Sequence, residues 1–435
     1  MNKGTVYIET YGCQMNSYDS ELVKSILTES NYTLTMDIIS ANITLLNTCS
    51  VRENANNKIL NRVHELKQLN QHMLVGILGC MATNFKTDLL DNKRLKIDLI
   101  AGPDSYRALP NLIDDALDTA QSSKPFDVTL SEFETYDQIP ARRIEGANAW
   151  LAIMRGCNNF CTFCVVPYTR GRERSRSIQS IIDEVNQLTD EGFKQVTLLG
   201  QNVNSYRYGN DSFADLLDAV SSKTSIERIR FTSPHPKDFP LDLLKLINER
   251  KNICKQLHVP LQAGNDRVLK KMNRTYTQDE FLQLIQEMRK EIPNVALSTD
   301  IIVGFPTETH DEFLDTKKVC EEVVFDHAYI FKYSERPNTR AALKFLDDVS
   351  AEEKKQRIMA LVDMQKKHSK KRNERWVGKD QQILIERIEK DQLVGRNDAN
   401  VLTYVPAPDK RNIGDFIQVK INGASPHGLK GVLIN

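Results

Sequence analysis

Along the first 110 residues, short runs rich in β-branched and aliphatic residues alternate with longer segments whose apolar positions recur every three or four residues. Strands are predicted over residues 5–10, 42–48, 73–79 and 98–102, and helices over about 19–30 and 53–70. Alternation of this kind builds a mostly parallel sheet with helices on both faces. A second alternating series follows, with strands at 149–154, 195–200, 228–233, 255–260, 296–304 and 328–333, separated by helical patterns such as 178–191 and 278–290. Six βα units predict a partial barrel whose active face lies at the C-terminal strand ends. After a helix over about 351–375, the rhythm shortens to five strands, at 381–388, 392–395, 400–405, 416–423 and 428–434, the pattern of a small β-barrel. The expected class is α/β: an N-terminal open parallel sheet domain (1–120), an acidic linker (121–142), a central partial (β/α)6 barrel (143–372) and a small C-terminal β-barrel (373–435).

Composition changes this picture little. The 435 residues are 40% hydrophobic and 27% charged, with 58 basic and 58 acidic side chains. No global field marks a nucleic-acid binder, so such a role must rest on local patches. Residues 114–137 carry seven carboxylates and one lysine, whereas residues 366–435 carry 14 basic and 8 acidic side chains, a net +6. The first residues run straight into a strand, without the charged head and apolar core of a secretion signal. No apolar run approaches the ~20 residues of a membrane span. A cytoplasmic, monomeric protein with no membrane partner is expected.

Eight cysteines in a reducing compartment read as ligands or catalytic groups rather than disulfides. Cys157, Cys161 and Cys164 form a C-x3-C-x2-C loop directly after a predicted strand. A structural zinc site wants four closing ligands, and no local fourth exists. Three thiolates suit a 4Fe-4S cluster with one iron left open to a substrate or cofactor. Cys13, Cys49 and Cys80 are dispersed, but each falls just past the C-terminal end of a predicted parallel strand, the edge that forms the ligand crevice of open α/β sheets. They are either three independent buried thiols or one convergent site. Cys254 and Cys320 have no partner pattern and read as buried thiols.

The segments Tyr-Gly-Cys-Gln-Met-Asn at 11–16, Asn-Thr-Cys-Ser-Val-Arg-Glu-Asn at 47–54, Gly-Cys-Met-Ala at 79–82 and the Arg-Gly-Cys to Arg-Ser-Arg stretch at 155–176 resemble the methylthiotransferase family of radical SAM enzymes. Within it, they resemble the tRNA-2-methylthio-N6-dimethylallyladenosine synthases, the MiaB branch. The resemblance spans essentially the whole chain and implies an N-terminal methylthiotransferase domain, a radical SAM domain and a C-terminal TRAM domain. It further implies two 4Fe-4S clusters, one on Cys157, Cys161 and Cys164 and one on Cys13, Cys49 and Cys80. S-adenosyl-L-methionine would be the cofactor, and N6-(dimethylallyl)adenosine beside the anticodon would gain a 2-methylthio group. Since both clusters serve one adenine, the N-terminal sheet edge is expected to face the barrel mouth. Ser177 and Thr83 stand where proline and glutamine are usual in the family.

Relatives acting on threonylcarbamoyl-adenosine or on a ribosomal-protein aspartate are the nearest alternatives, and a non-catalytic iron-sulfur RNA-binding protein is the alternative of a different class. Gly200, Gln201, Asn202, Asp300 and Gly304, at predicted strand exits, are candidates for binding S-adenosylmethionine. His235 and His258 occupy similar loops and read first as structural. Arg170, Arg172, Arg174 and Arg176, with Lys370, Lys371 and Arg372, are candidates for RNA phosphate because guanidinium and ammonium groups suit it. The expected partners are a tRNA anticodon arm, an electron donor of flavodoxin or ferredoxin type, and a sulfur donor that no motif identifies.

Overall fold

The computed structural model describes residues 2–50, 53–92, 95–118, 123–143, 146–237, 239–407 and 411–434. The predicted boundary at 120/121 lies outside the described residues, as do Val51 and Arg52 of the second cysteine segment. The chain divides into two compact units. One comprises Met1–Arg143, Met154–Arg176 and Ser334–Leu343; the other comprises Ile144–Ile153, Ser177–Tyr333 and Lys344–Asn435.

The first unit is built on a six-stranded parallel sheet ordered Thr33–Leu34, Thr5–Thr10, Ile43–Thr48, Leu74–Gly79, Leu99–Ala101 and Phe126–Asp127. Every residue of Ile43–Thr48 and Leu74–Gly79 is buried, as befits central strands covered on both faces. The helix Glu53–Leu69 lays Ile59, Val63 and Leu66 on Leu46, Val75 and Ile77. The stretch read as an acidic linker is part of this unit. Phe126–Asp127 pairs with Ile100 and Ala101 as the sixth strand, and fully buried Tyr136 stacks on Tyr106 at 5.7 Å. Charge density hid this, because the carboxylates of Glu134 and Asp137 are taken up by Arg107 and Arg176 while the tyrosine turns inward.

In the second unit, Asn148–Ala152, Gln195–Leu199 and Arg228–Phe231 form one parallel sheet, and Gln256–His258, Ala296–Val303 and His327–Lys332 form another. A parallel bridge between Ile229 and Ile253 carries the series across in chain order, giving the six-strand partial barrel. Local chemistry starts its helices: capping boxes at Ser212/Asp215, Thr277/Glu280 and Thr309/Glu312 satisfy the first-turn amides. Ser177, the departure from the family pattern, accepts from the Ser180 amide and caps Ile178–Asp190.

The helix Ala351–Glu374 leads into a closed barrel in the order Asp380–Glu389, Gln392–Arg396, Leu402–Pro406, Gly428–Leu433 and Phe416–Ser425, filled by Ile383, Ile385, Leu393, Val405 and Val419. Its 396–398 turn sits at the start of the larger barrel's strands: Arg228 donates to the Arg396 carbonyl at 3.0 Å, and Arg230 to the Asn397 and Asp398 carbonyls at 2.6 and 2.9 Å. No helix among the described residues is long and apolar enough to cross a membrane.

Candidate active site and cluster-binding loops

All six cysteines of the two sets belong to the first unit. Thr5–Thr10, Ile43–Thr48 and Leu74–Gly79 are adjacent parallel strands in close register, Thr10 beside Asn47 and Thr48 beside Gly79. Their exits carry Cys13, Cys49 and Cys80 to one edge. Cys13 is the N-cap of the helix Gln14–Glu29, which begins five residues earlier than the predicted helix start at 19. Gly12 has φ +124°, and a Cβ there would lie 2.4 Å from that of Cys49, so only glycine lets the two cysteine-bearing loops approach. The Cys49 side chain hydrogen-bonds Cys13 and, against burial, brings its pKa down to about 6, helped by the Arg170 charge. Burial pushes the Cys80 thiol up, and Arg170 again pulls the other way.

Cys157, Cys161 and Cys164 follow the short strand Met154–Arg155, which pairs with Arg174–Ser175. The Cys157 amide donates to the Gly171 carbonyl at 3.1 Å and that of Cys164 to the Cys161 carbonyl at 3.0 Å. A Cβ on Gly156, at φ +77°, would meet the Arg172 carbonyl oxygen at 2.0 Å. Arg172 and Arg340 lie over the Phe160 ring at 4.5 and 5.3 Å.

No three His, Cys, Asp or Glu side chains among the described residues converge as they would on a single ion. A four-iron cluster takes one thiolate per iron, so its ligands stand further apart than those of a lone metal. The surroundings fit such a group: Ser50 Oγ and Arg170 Nη1 are buried beside the dispersed set without a hydrogen-bond partner, and cluster sulfur accepts hydrogen bonds.

The arginine run is corrected by the structure. Arg170 reaches Asp19 at 2.7 Å and Asn16 Oδ1 at 2.9 Å; Arg174 binds Asp104 at 2.8 Å; Arg176 binds Asp137 at 2.6 Å and Tyr18 Oη at 3.1 Å. All three guanidinium groups are buried, held in the protein by carboxylates rather than offered to phosphate. Arg372 is likewise turned onto Asp326 at 3.2 Å and the Val295 carbonyl at 3.0 Å. Arg172, Lys370 and Lys371 remain exposed. Asp19 was missed in the sequence, and its signal was an acid beside Tyr18 on a helix face that also carries Leu22 and Val23.

In the second unit, Asn202 is buried and accepts from the His235 amide at 3.2 Å, Gly200 is buried, and half-buried Gln201 keeps Oε1 without a partner. Asp300 contacts His258 Nε2 at 3.2 Å, and Gly304 packs under Lys354 and donates to Glu308. His235 is buried, accepts from the Lys237 amide at 3.1 Å, and is pushed by burial to a pKa of about 3, so it stays neutral. Cys254 and Cys320 are buried, and burial lifts both thiols to about 12. A cavity of about 240 Å3 lies between the larger barrel and the 396–402 segment, lined by Gln256, Ser298, His327, Tyr329, Arg396 and Asn400.

Family models match residues 151–320 (Radical SAM superfamily), 5–102 (Uncharacterized protein family UPF0004) and 374–434 (TRAM domain). The tRNA-2-methylthio-N(6)-dimethylallyladenosine synthase of Parabacteroides distasonis is 45% identical over 440 residues, covering 98% of this chain and 94% of that protein. That of Chloroherpeton thalassium is 45% identical over 438 residues, covering 99% and 96%. The chain belongs to this family of synthases. It is therefore a radical SAM enzyme. Among solved structures, the radical S-adenosylmethionine methyltransferase TsrM from Kitasatospora setae, with cobalamin and a 4Fe-4S cluster bound, aligns with a TM-score of 0.62 at 13% identity, covering 79% of this chain and 78% of that one. OxsB, a cobalamin-dependent S-adenosylmethionine radical enzyme, aligns with a TM-score of 0.51 at 12% identity, covering 82% and 56%. These two likenesses concern the fold alone.

Proposed function

We propose that this chain methylthiolates tRNA at C2 of N6-(dimethylallyl)adenosine beside the anticodon, with Cys157, Cys161 and Cys164 holding one 4Fe-4S cluster and Cys13, Cys49 and Cys80 holding a second. The observation that carries this reading is the placement of two cysteine triads in one compact unit, each short of the four ligands that would close a cluster. When bound, the clusters and S-adenosylmethionine supply the radical, the sulfur and the methyl group that no side chain can provide for an unactivated aromatic C–H.

The protein's part is to hold and orient. Gly12 and Gly156 let the loops close around their cysteines, Cys13 is set at a helix N-terminus where a thiolate is favoured, and Asp19 ties the two cysteine-bearing regions through Arg155 and Arg170, each at 2.7 Å. Gln201, with its free Oε1, is the best placed of the strand-exit residues to meet a polar cofactor group, whereas Asn202 and Gly304 act within the scaffold. Exposed Arg172, Lys370 and Lys371 are the RNA-facing cations, in a cytosolic monomer reduced by a flavodoxin- or ferredoxin-type donor. Anaerobic reconstitution tests the ligand assignment. The parent should hold about eight irons and either triple Cys→Ala chain about four, and mass spectrometry of tRNA nucleosides should show the 2-methylthio group lost in both while the dimethylallyl group stays. Full iron in either triple variant would refute it.

A further inference from the structure

Three buried arginines and two buried aspartates meet beneath the dispersed cysteines. Arg155 and Arg170 share Asp19 at 2.7 Å each, and Arg174 takes Asp104 at 2.8 Å; the side chains are 1, 3 and 5% exposed for the arginines and 0% for both aspartates. The group therefore holds one positive charge more than its carboxylates neutralise. A buried, uncompensated cation is costly, and another anion is needed to complete the set. Buried Nε and Nη1 of Arg155 and Nη1 of Arg170 all lack a hydrogen-bond partner, and Arg170 is the one of the two that shares an acceptor with a cysteine of the dispersed set. Its Nη2 is spent on Asp19 and on Asn16 Oδ1, the same oxygen that accepts from the Cys13 thiol at 3.6 Å, while its buried Nη1 makes no hydrogen bond. Arg170 lies just beyond the Cys157–Cys164 loop in sequence, yet through Asn16 Oδ1 it is joined to Cys13 of the dispersed set.

We infer that Arg170 is a positioning residue for the cluster held by Cys13, Cys49 and Cys80, donating its free Nη1–H to the cluster's sulfur and setting its reduction potential. This rests on the ligand assignment proposed above. A four-iron cluster with three thiolates carries a net negative charge that grows on reduction, so a fixed guanidinium favours the reduced form, and hydrogen bonds to sulfur act in the same direction. Asp19 and Asn16, one turn apart on the buried face of the helix Gln14–Glu29, hold the fork in place, which accounts for a buried acid there.

The test is a dithionite titration followed by electron paramagnetic resonance on the full chain carrying C157A, C161A and C164A, so that one cluster is read. Arg170→Gln should move its midpoint to more negative potential with iron content kept, and Arg170→Lys should restore part of the shift. An unmoved potential in Arg170→Gln overturns the proposal. Should Arg170→Gln fail to hold iron, Arg170→Lys decides: iron retained supports a role for the charge, and iron lost in both variants overturns it as mere collapse of the loop. Adding C13A, C49A and C80A separates the two readings, because iron surviving that change refutes the ligand assignment and not the role of Arg170.

Discussion

The two cysteine triads solve one problem in opposite ways. Cys157, Cys161 and Cys164 are gathered by a single loop whose turns are closed by its own backbone, with the Cys164 amide on the Cys161 carbonyl and the Cys157 amide on that of Gly171. Cys13, Cys49 and Cys80 have no local connection and depend on three neighbouring strands staying in register. A local site is fixed by dihedral angles within a few residues. An assembled site is fixed by everything that packs the sheet, including an ion-pair group more than a hundred residues long in sequence reach: Asp19 and Arg155 are 136 positions apart.

Glycine substitutions give the sharpest contrast. Gly156→Ala drives a Cβ into the Arg172 carbonyl at 2.0 Å, a backbone atom that cannot swing aside, and should lose about half the iron from the reconstituted chain. Gly12→Ala, whose Cβ meets that of Cys49 at 2.4 Å, should lose the other half. Iron counted in each variant on a C157A/C161A/C164A or C13A/C49A/C80A background shows which cluster went; loss of both clusters from either single change would mean that the triads are not separately built.

Asp19→Asn tests the assembled side next. It removes the carboxylate that buried Arg155 and Arg170 share, leaving Arg155 only the longer 3.8 Å contact to Asp104, so unfolding of the iron-free protein should become easier by about 3–5 kcal/mol. Asp137, half-exposed beside Arg176, should matter less: Asp137→Asn is expected to cost about 1 kcal/mol or under. Equal costs by urea titration would say that burial does not distinguish these pairs.

The smallest effects separate the arginines that read alike in the sequence. Arg172→Ala and the Lys370→Ala/Lys371→Ala pair remove exposed charge, and should weaken tRNA binding about two- to tenfold and lower its salt dependence with melting unchanged. Arg174→Ala removes a buried partner of Asp104 and should lower the melting temperature instead. Fluorescence anisotropy with tRNA at several salt concentrations, beside thermal melts, would break the distinction if all of these variants behaved the same way.

Much was readable from the chain itself. The order of strands and helices, the six-strand barrel series, the small C-terminal barrel and the three-cysteine loop follow from periodicity and spacing, because those are properties of neighbouring residues and of the covalent chain. The placement of Cys13, Cys49 and Cys80 after strands was also visible, since each strand end carries a local turn signal. What the tertiary structure alone decided is which charges face inward. Arg170, Arg172, Arg174 and Arg176 alternate evenly in sequence, yet Arg172 is exposed and the others are buried on Asp19, Asp104 and Asp137. The linker-like 121–142 stretch likewise became a sheet edge and a buried tyrosine. An ion pair buried between distant segments leaves no period in either one, because the free energy that selects it comes from removing both partners from water together, and that happens only once the chain has folded.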